Sequence, residues 1–428
     1  MAEIRPFAAV RYTDDAALPA TTCPPYDVLS PEERQALIDR SPHATARLIL
    51  PEGEGAAKYQ TARDLWQTWL QSGVLHPDAA PGFYVTRTRF VPPGAAPDSE
   101  PLSRLGLLCL LRLHPYEDRV VLPHERTLAR PKEDRLNLLR ATGANFESIM
   151  GLVNDGEKRL YAALEAVADG SPLADFAGDD NQRHTLWKVE DSGTVADLAA
   201  LVADKAVYIA DGHHRYETSL AYAQETGALG TDRPEAFLLA TLLSSSDPGL
   251  LLLPTHRLVN GVDADHRTSL FRHLDELFDV LEVSLEDLEG RLRYPIVNEP
   301  TFGFILPSGT VYQVAARDWP TLEAALPPNL HPSLRRLDVT LLQHLVLDRV
   351  LGIPASEVAT TDRLAYTRDP HEALHRVTRG EFDLALLLGN TPADAVFAVS
   401  DAGHVMPQKS TFFYPKLLSG LVMRAMND

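Results

Sequence analysis

A mixed α/β fold, with α+β stretches where strands and helices segregate, is predicted by three features of the 428-residue chain. Apolar runs of strand length recur at Leu105–Leu111, Ala206–Ala210, Ala236–Leu243 and Asp383–Leu388. Between them lie segments whose apolar residues return every three or four positions, the period of a helix facing a core. A hydrophobic share of 45% with 23% charged residues suits a folded globular chain. No apolar run approaches the ~18 residues of a membrane helix.

Taken in order, Met1-Ala-Glu-Ile-Arg-Pro-Phe7 lacks the basic flank and apolar core of a leader. The loop Cys23-Pro-Pro-Tyr-Asp-Val-Leu-Ser30 precedes a helix that Ser30 caps and Pro31 opens, at a first-turn position where a missing N–H forfeits no helical bond. A helix over Ala56–Gln71 turns Tyr59, Leu65, Trp66, Trp69 and Leu70 to the core. Alternation over Gly82–Phe90 and the run Leu105–Leu113, separated by the Pro- and Gly-rich 91–101, predict a hairpin with a long loop. Helices are expected at Pro131–Thr142, Glu157–Ala168 and Val195–Ala203.

A strand over Ala206–Ala210 stops at Asp211-Gly212, and Tyr216, Leu220 and Ala223 then recur at helical spacing, giving the next helix a sheet-facing side. The segment Leu250–Leu253 belongs to the core. Composition shifts after Val259, and a soft boundary near Val262 divides residues 1–261 from a C-terminal α/β region, 262–428. There a helix is expected over Leu270–Val280, a hairpin over Thr301–Ala315 around Pro307-Ser-Gly309, and a helix over Leu337–Val350. Strands at Asp383–Leu388 and Ala395–Val399 and a final helix after Pro415 complete the list.

Forty Lys and Arg against 59 Asp and Glu give a formal charge of −19, a field that repels polyanions. Nucleic acid and anionic membranes are therefore not expected partners, while a local pocket for a small anion is compatible with that charge. The two cysteines, Cys23 and Cys109, cannot make a disulfide framework for a chain this long, so the cytoplasm is the expected compartment.

The densest chemistry follows the 206–210 strand, in Asp211-Gly-His-His-Arg215. A helix that starts there leaves its first backbone N–H groups without internal partners, a natural place for an anion. Asp211 is a candidate N-cap, Gly212 allows close approach and a positive φ, and His213, His214 and Arg215 add donors suited to phosphate. His213 and His214 are adjacent rather than four apart, so they do not form a helical zinc pair.

His124-Glu-Arg-Thr127 offers an acid, a base and a cation, with Glu125 placed to accept a hydroxyl proton and Arg126 to pair with an anion or a neighbouring acid. Asp134 to Asn145 and Thr255-His-Arg257 are also more polar than packing requires. In Met406-Pro-Gln-Lys-Ser-Thr-Phe-Phe-Tyr-Pro-Lys416, Lys409 brings a point charge, Ser410 and Thr411 bring hydroxyls, and Pro407 and Pro415 hold the segment as a loop. It lacks the glycines of a Walker loop, and no Gly-x-Ser-x-Gly elbow occurs. A nucleotide-borne Mg²⁺ would need only Asp211 or Glu125 and water.

Together Pro24-Pro-Tyr-Asp-Val28, His124-Glu-x-Thr127, Asp134-Arg-Leu to Ala144-Asn145, Ala210-Asp-Gly-His-His-Arg-Tyr-Glu217, Pro254-Thr-His-Arg-Leu258 and Met406-Pro-x-Lys-Ser-Thr-x-Phe-x-Pro-Lys416 resemble the bacterial and archaeal domain of unknown function 1015 family. Asp211-Gly-His-His-Arg215 also resembles the phosphate-binding box of the ParB/sulfiredoxin superfamily, which includes CTP-binding partition proteins, sulfiredoxin and free-serine kinases. Gly212 or His213 stands where sulfiredoxin has its cysteine, and the acidic chain lacks the basic surface of partition proteins. The kinase box begins with aspartate, as Asp211 does.

That resemblance implies a ParB/sulfiredoxin-like core with large insertions and a nucleotide-dependent phosphotransferase using ATP or ADP, with Mg²⁺ as the accompanying ion, on a small hydroxyl metabolite such as serine. Asp211, Glu125 and His213 would be catalytic, and Gly212, His214, Arg215, Arg126, Lys409, Ser410 and Thr411 would grip phosphate. The alternatives are a regulatory protein that binds a nucleotide or phosphometabolite without turnover, and a phosphohydrolase.

Overall fold

The computed structural model describes residues 1–428 apart from 96–98, 128, 180, 294–299, 359 and 427–428. It divides into two compact units, and the chain passes between them more than once. The first holds 1–123, 127–251 and 415–428, and the second holds 124–126 and 252–414. The compositional shift near Val262 thus falls inside the second unit, and the last residues of the chain belong to the first.

The first unit is built on a mixed nine-stranded sheet. Its strands run in the order Val121–Leu122, Val207–Asp211, Ile149–Val153, Phe237–Ser244, Leu102–Arg112, Phe83–Phe90, Arg183–Val189 and Ala174–Ala177, with Ile4–Arg5 added alongside Leu102–Arg112. Phe83–Phe90 and Leu102–Arg112 are the predicted hairpin. The strands of its centre are buried on both faces, which explains why Phe237–Ser244 reads as a nearly continuous apolar run with Thr241 and Ser244 its only polar residues. One face carries Trp66 and Trp69 of the Ala57–Gln71 helix, Tyr84 and Leu110. The other carries Leu160, Leu198, Ile209, Tyr216 and Ala223.

Local signals hold where they are chemically explicit. Ser30 and Glu33 form a reciprocal capping box over Pro31–Arg40. The helices Ala129–Thr142, Arg159–Ala168 and Ser192–Ala203 lie where their periodicity puts them. The final helix expected after Pro415 does not form. Ser419, Met423 and Arg424–Ala425 instead pair with Cys23, Val10 and Ala144–Asn145. Gly420 sits at φ 85° with Thr45 so close that any side chain there would collide.

The second unit has a six-stranded sheet in the order Phe278–Val283, Val311–Ala316, Thr301–Ile305, Leu384–Leu388, His256–Val259 and Leu364–Thr367. The Thr301–Ala316 hairpin turns at Gly309 with φ 83°, as its sequence requires. Two expectations fail here. The helix over Leu270–Val280 ends at Leu277, and Phe278–Val283 is an edge strand. Ala395–Val399 is not a strand but part of the helix Ala393–Asp401, which follows Pro392 and buries Val396, Phe397, Val399 and Ser400. A five-residue apolar run fits either element, and the proline that precedes it starts a helix. The segment Asp338–Asp348 is helical as expected, widening to π geometry from Leu342.

Candidate functional site

Within the first unit the strand Val207–Asp211 ends on a bulge between Ile209 and Asp211, which re-aims the Asp211 side chain. Asp211 does not cap the following helix. Gly212 holds the cap position at φ 89° with no side-chain cap bond, and the helix runs His213–Glu225. The reason is that both Asp211 oxygens are engaged elsewhere. Oδ2 accepts from Arg215 Nη2 at 2.6 Å, and Oδ1 is paired with Lys416 Nζ. Arg215 also donates to the Ser148 carbonyl.

Burial alone would raise the Asp211 pKa, but the adjoining Lys416 and Arg215 charges outweigh it and hold the carboxyl well below its usual range. Burial likewise opposes the charge on Arg215, and Glu147, Asp211 and Asp27 restore it, so its pKa stands above the ordinary arginine value. A third cation, Arg104, is buried at 3% exposure and feels Asp211 through space, while its own pKa is drawn down to about 10 by burial. Three guanidinium or ammonium groups therefore surround one carboxylate at a helix start. A metal ion bound to Asp211 would have to displace Lys416 or Arg215, so this carboxylate does not fit Mg²⁺.

The glycine is needed twice over. Its φ is unfavourable for any side chain, and a Cβ there would stand 2.9 Å from Arg215 Nε. His213 is buried and His214 half-buried at the first helical positions, where Tyr216 N–H to Gly212 C=O is the first helical bond. Tyr216 ties the helix down, donating its hydroxyl to the His114 carbonyl at 2.7 Å.

Other sequence segments converge on the same unit. Arg135 lies over the Tyr26 ring at 4.2 Å and pairs with Asp134. Asp134 also binds Lys58 at 2.6 Å; burial pushes its pKa up, but Arg135 and Lys58 hold it at about 2. Glu147 accepts from Tyr26 N–H and Ser419 Oγ, both at 3.1 Å. Glu217 accepts from Thr127 Oγ1 at 2.6 Å and Lys132 Nζ at 2.8 Å.

The second unit gathers the remaining segments. His124 Nε2 meets Thr411 Oγ1 at 2.8 Å, its carbonyl accepts from Met406 N–H at 2.8 Å, and its ring packs edge-on to Phe413. Glu125 Oε1 lies 4.0 Å from His124 Nε2. Arg257 is buried and donates to the carbonyls of Thr255 and Lys409, and burial brings its pKa down to about 10. Lys409 is exposed in left-handed geometry at φ 57°, Arg126 is exposed, and the Ser410 hydroxyl closes the turn onto the Pro407 carbonyl. Among the described residues no group of three or more His, Cys, Asp or Glu is arranged to hold a metal ion.

A family model described as Protein of unknown function (DUF1015) matches residues 4–340. The chain belongs to that family. No curated protein matches. Among solved structures, a conserved hypothetical protein from Pyrococcus furiosus is 16% identical, with 73% of this chain and 92% of that one covered at a TM-score of 0.35. A free serine kinase in complex with AMP is 14% identical, with 72% and 86% covered at 0.36. SbnI with C-terminal truncation from Staphylococcus aureus is 11% identical, with 73% and 85% covered at 0.36. No helix among the described residues is long and apolar enough to cross a membrane.

Of the residues singled out from sequence, Asp211, Gly212, His213, His214 and Arg215 share one turn in the first unit. Glu125, Arg126, Lys409, Ser410 and Thr411 fall in the second, where His124 links two of their segments. Sequence reasoning passed over Lys416, the partner of Asp211, although it closes the Met406–Lys416 segment. It also passed over Arg104 and Glu147. Arg104 has only its position as a charge near the start of the largely apolar strand Leu102–Arg112 to mark it.

Proposed function

We propose that the protein is a nucleotide-dependent phosphotransferase that moves a phosphoryl group from ATP or ADP to the hydroxyl of a small, serine-like metabolite. The observation that carries this reading is the pairing of two largely buried cations, Lys416 and Arg215, with Asp211 at the start of a 13-residue helix, with Arg104 within electrostatic reach. A helix start already favours an anion, and two cations in contact with Asp211 give a phosphoryl group charge-assisted donors. In this reading Gly212 lets the phosphate approach the backbone, and Asp211-Gly-His-His-Arg215 works as the box of the ParB/sulfiredoxin superfamily does.

In transfer the acceptor oxygen bonds to phosphorus, the bond to the nucleotide's leaving oxygen breaks, and the hydroxyl proton goes to a base. Asp211, ionised down to low pH by its two cations, is a weak proton acceptor and serves to fix Lys416 and Arg215. We assign the proton to His213, the buried first residue of the helix and an electrostatic neighbour of Asp211. His214 is a further phosphate donor. Glu125, Arg126, Lys409, Ser410 and Thr411, which lie in the second unit, are given no part in this step. Such catalysis is positioning and charge stabilisation, which clustered donors supply.

The test is transfer of label from [γ-³²P]ATP and [β-³²P]ADP to a pool of hydroxyl metabolites that includes serine, with wild type and His213→Gln. A labelled product that falls at least a hundredfold in the variant supports the reading. Tight nucleotide binding with no product favours the regulatory alternative, and phosphate release without acceptor favours a phosphohydrolase.

A further inference from the structure

A cleft in the first unit opens between the helices Ala129–Thr142 and His213–Glu225, over the strands Ile149–Val153 and Phe237–Ser244. Its volume is about 50 Å³, room for a ligand of a few heavy atoms and well below the ~300–1,000 Å³ of drug-sized sites. The apolar part of its wall includes Leu138 and Leu239. Its polar part includes donors with capacity left. Arg215 is 9% exposed, and its Nε has no hydrogen-bond partner although buried. Asn145 uses its Oδ1 to accept from Leu239 N–H at 3.3 Å and from Arg424 Nη1 at 3.5 Å, which leaves the amide NH₂ to donate. Ser219 adds a hydroxyl at 5% exposure.

A buried donor without a partner costs about 1–3 kcal/mol, so such a group in a cleft calls for an acceptor atom. Glu147 lines the same cleft and weighs against a dianion such as free phosphate. A singly charged carboxylate is the group that a guanidinium, an amide NH₂ and a hydroxyl suit together, and the leucines ask for a short apolar arm beside it.

We infer that this cleft binds a small carboxylic acid with a short apolar arm and, resting on the phosphotransferase reading, that the acceptor is a hydroxy acid of this kind. Because Arg215 touches both the cleft and Asp211, one side chain joins the acceptor to the phosphate grip.

The experiment is isothermal titration of the full chain with 3-hydroxybutyrate, with its neutral analogue 1,3-butanediol and, separately, with ADP. The acid is expected to bind at least tenfold more tightly than the diol. Asn145→Asp keeps the acceptor for Leu239 N–H but adds a negative charge to the cleft, and should weaken the acid at least tenfold while changing ADP affinity less than twofold. Should Asn145→Asp fail to fold, Ser219→Ala should weaken the acid about threefold. Equal binding of acid and diol, or an acid affinity that neither variant moves, overturns the assignment. Binding of ADP without any binding of the acid overturns the cleft assignment alone. Loss of both in the wild-type protein removes the phosphotransferase reading as well.

Discussion

Replacing Asp211 by asparagine keeps the shape of the turn and removes the one carboxylate in contact with both Arg215 and Lys416, whose side chains are 10% and 14% exposed. Two effects add. An aspartate held near 2 in the folded state, against ~3.9 unfolded, contributes roughly 2–3 kcal/mol at neutral pH. Removing one partner of a buried pair also strands the cations, and such one-sided losses run to about 3–5 kcal/mol. Asp211→Asn should therefore lose about 3–5 kcal/mol at pH 7, read by urea unfolding through tryptophan fluorescence, since Trp66, Trp69 and Trp187 all lie in the first unit.

The pH dependence has a definite sign. A folded pKa below the unfolded one stabilises above the unfolded value, and that stability is lost as pH falls through the folded value. The gap between wild type and variant should hold from pH 7 to about 4 and close toward pH 2. Adding Lys416→Met to the Asp211→Asn variant removes one stranded cation and should recover part of the loss. A cost below about 1 kcal/mol, or a gap that persists at pH 2, would show that Asp211 is not the counter-ion of these cations.

Three further outcomes are expected. Gly212→Ala should cost about 2–3 kcal/mol in the same urea assay, because the φ of 89° is strained for alanine and its Cβ would crowd Arg215. Tyr84→Phe should cost about 1–3 kcal/mol, since the hydroxyl donates to Asp78 and accepts from Ala9 N–H at 3.1 Å, leaving that buried N–H unpaired when it goes. Cys23 and Cys109 are buried, and burial pushes both thiols up, so a thiol reagent at pH 8 should titrate neither in the native chain and both in urea.

What the sequence made legible were features with local chemistry. The Ser30 and Glu33 capping box, the hairpin turn at Gly309 and the strand, glycine and helix around Gly212 each follow from residues within a few positions of one another. The failures share the opposite property. Ala395–Val399 is too short for its period to separate helix from strand, and Phe278–Val283 gains its pairing from Val311–Ala316, which lies further along the chain. The segment after Pro415 is fixed by Cys23, Val10 and Ala144–Asn145, partners at great sequence distance. Lys416 was overlooked for the same reason: 205 residues separate it from Asp211.

Where the chain passes between its units is itself informative. His124-Glu-Arg126 is a three-residue excursion into the second unit, and Thr127, the next residue, is bonded to Glu217 of the first. The other return is at Pro415, and Lys416, one residue later, is paired with Asp211. Connections made only to join domains are usually polar, unpaired and tolerant of change. These two are instead anchored on their first residues to the helix His213–Glu225 or to the aspartate that precedes it. Glu217 is thus a positioning residue for the 124–127 segment, acting through Thr127. Glu217→Gln keeps a hydrogen bond to the Thr127 hydroxyl and removes the Lys132 ion pair, whereas Glu217→Ala removes both. If the anchor works through the hydroxyl, proteolysis near residue 127 should accelerate several-fold in Glu217→Ala and little in Glu217→Gln. Equal acceleration in both would assign the anchor to the Lys132 charge, and none in either would remove it.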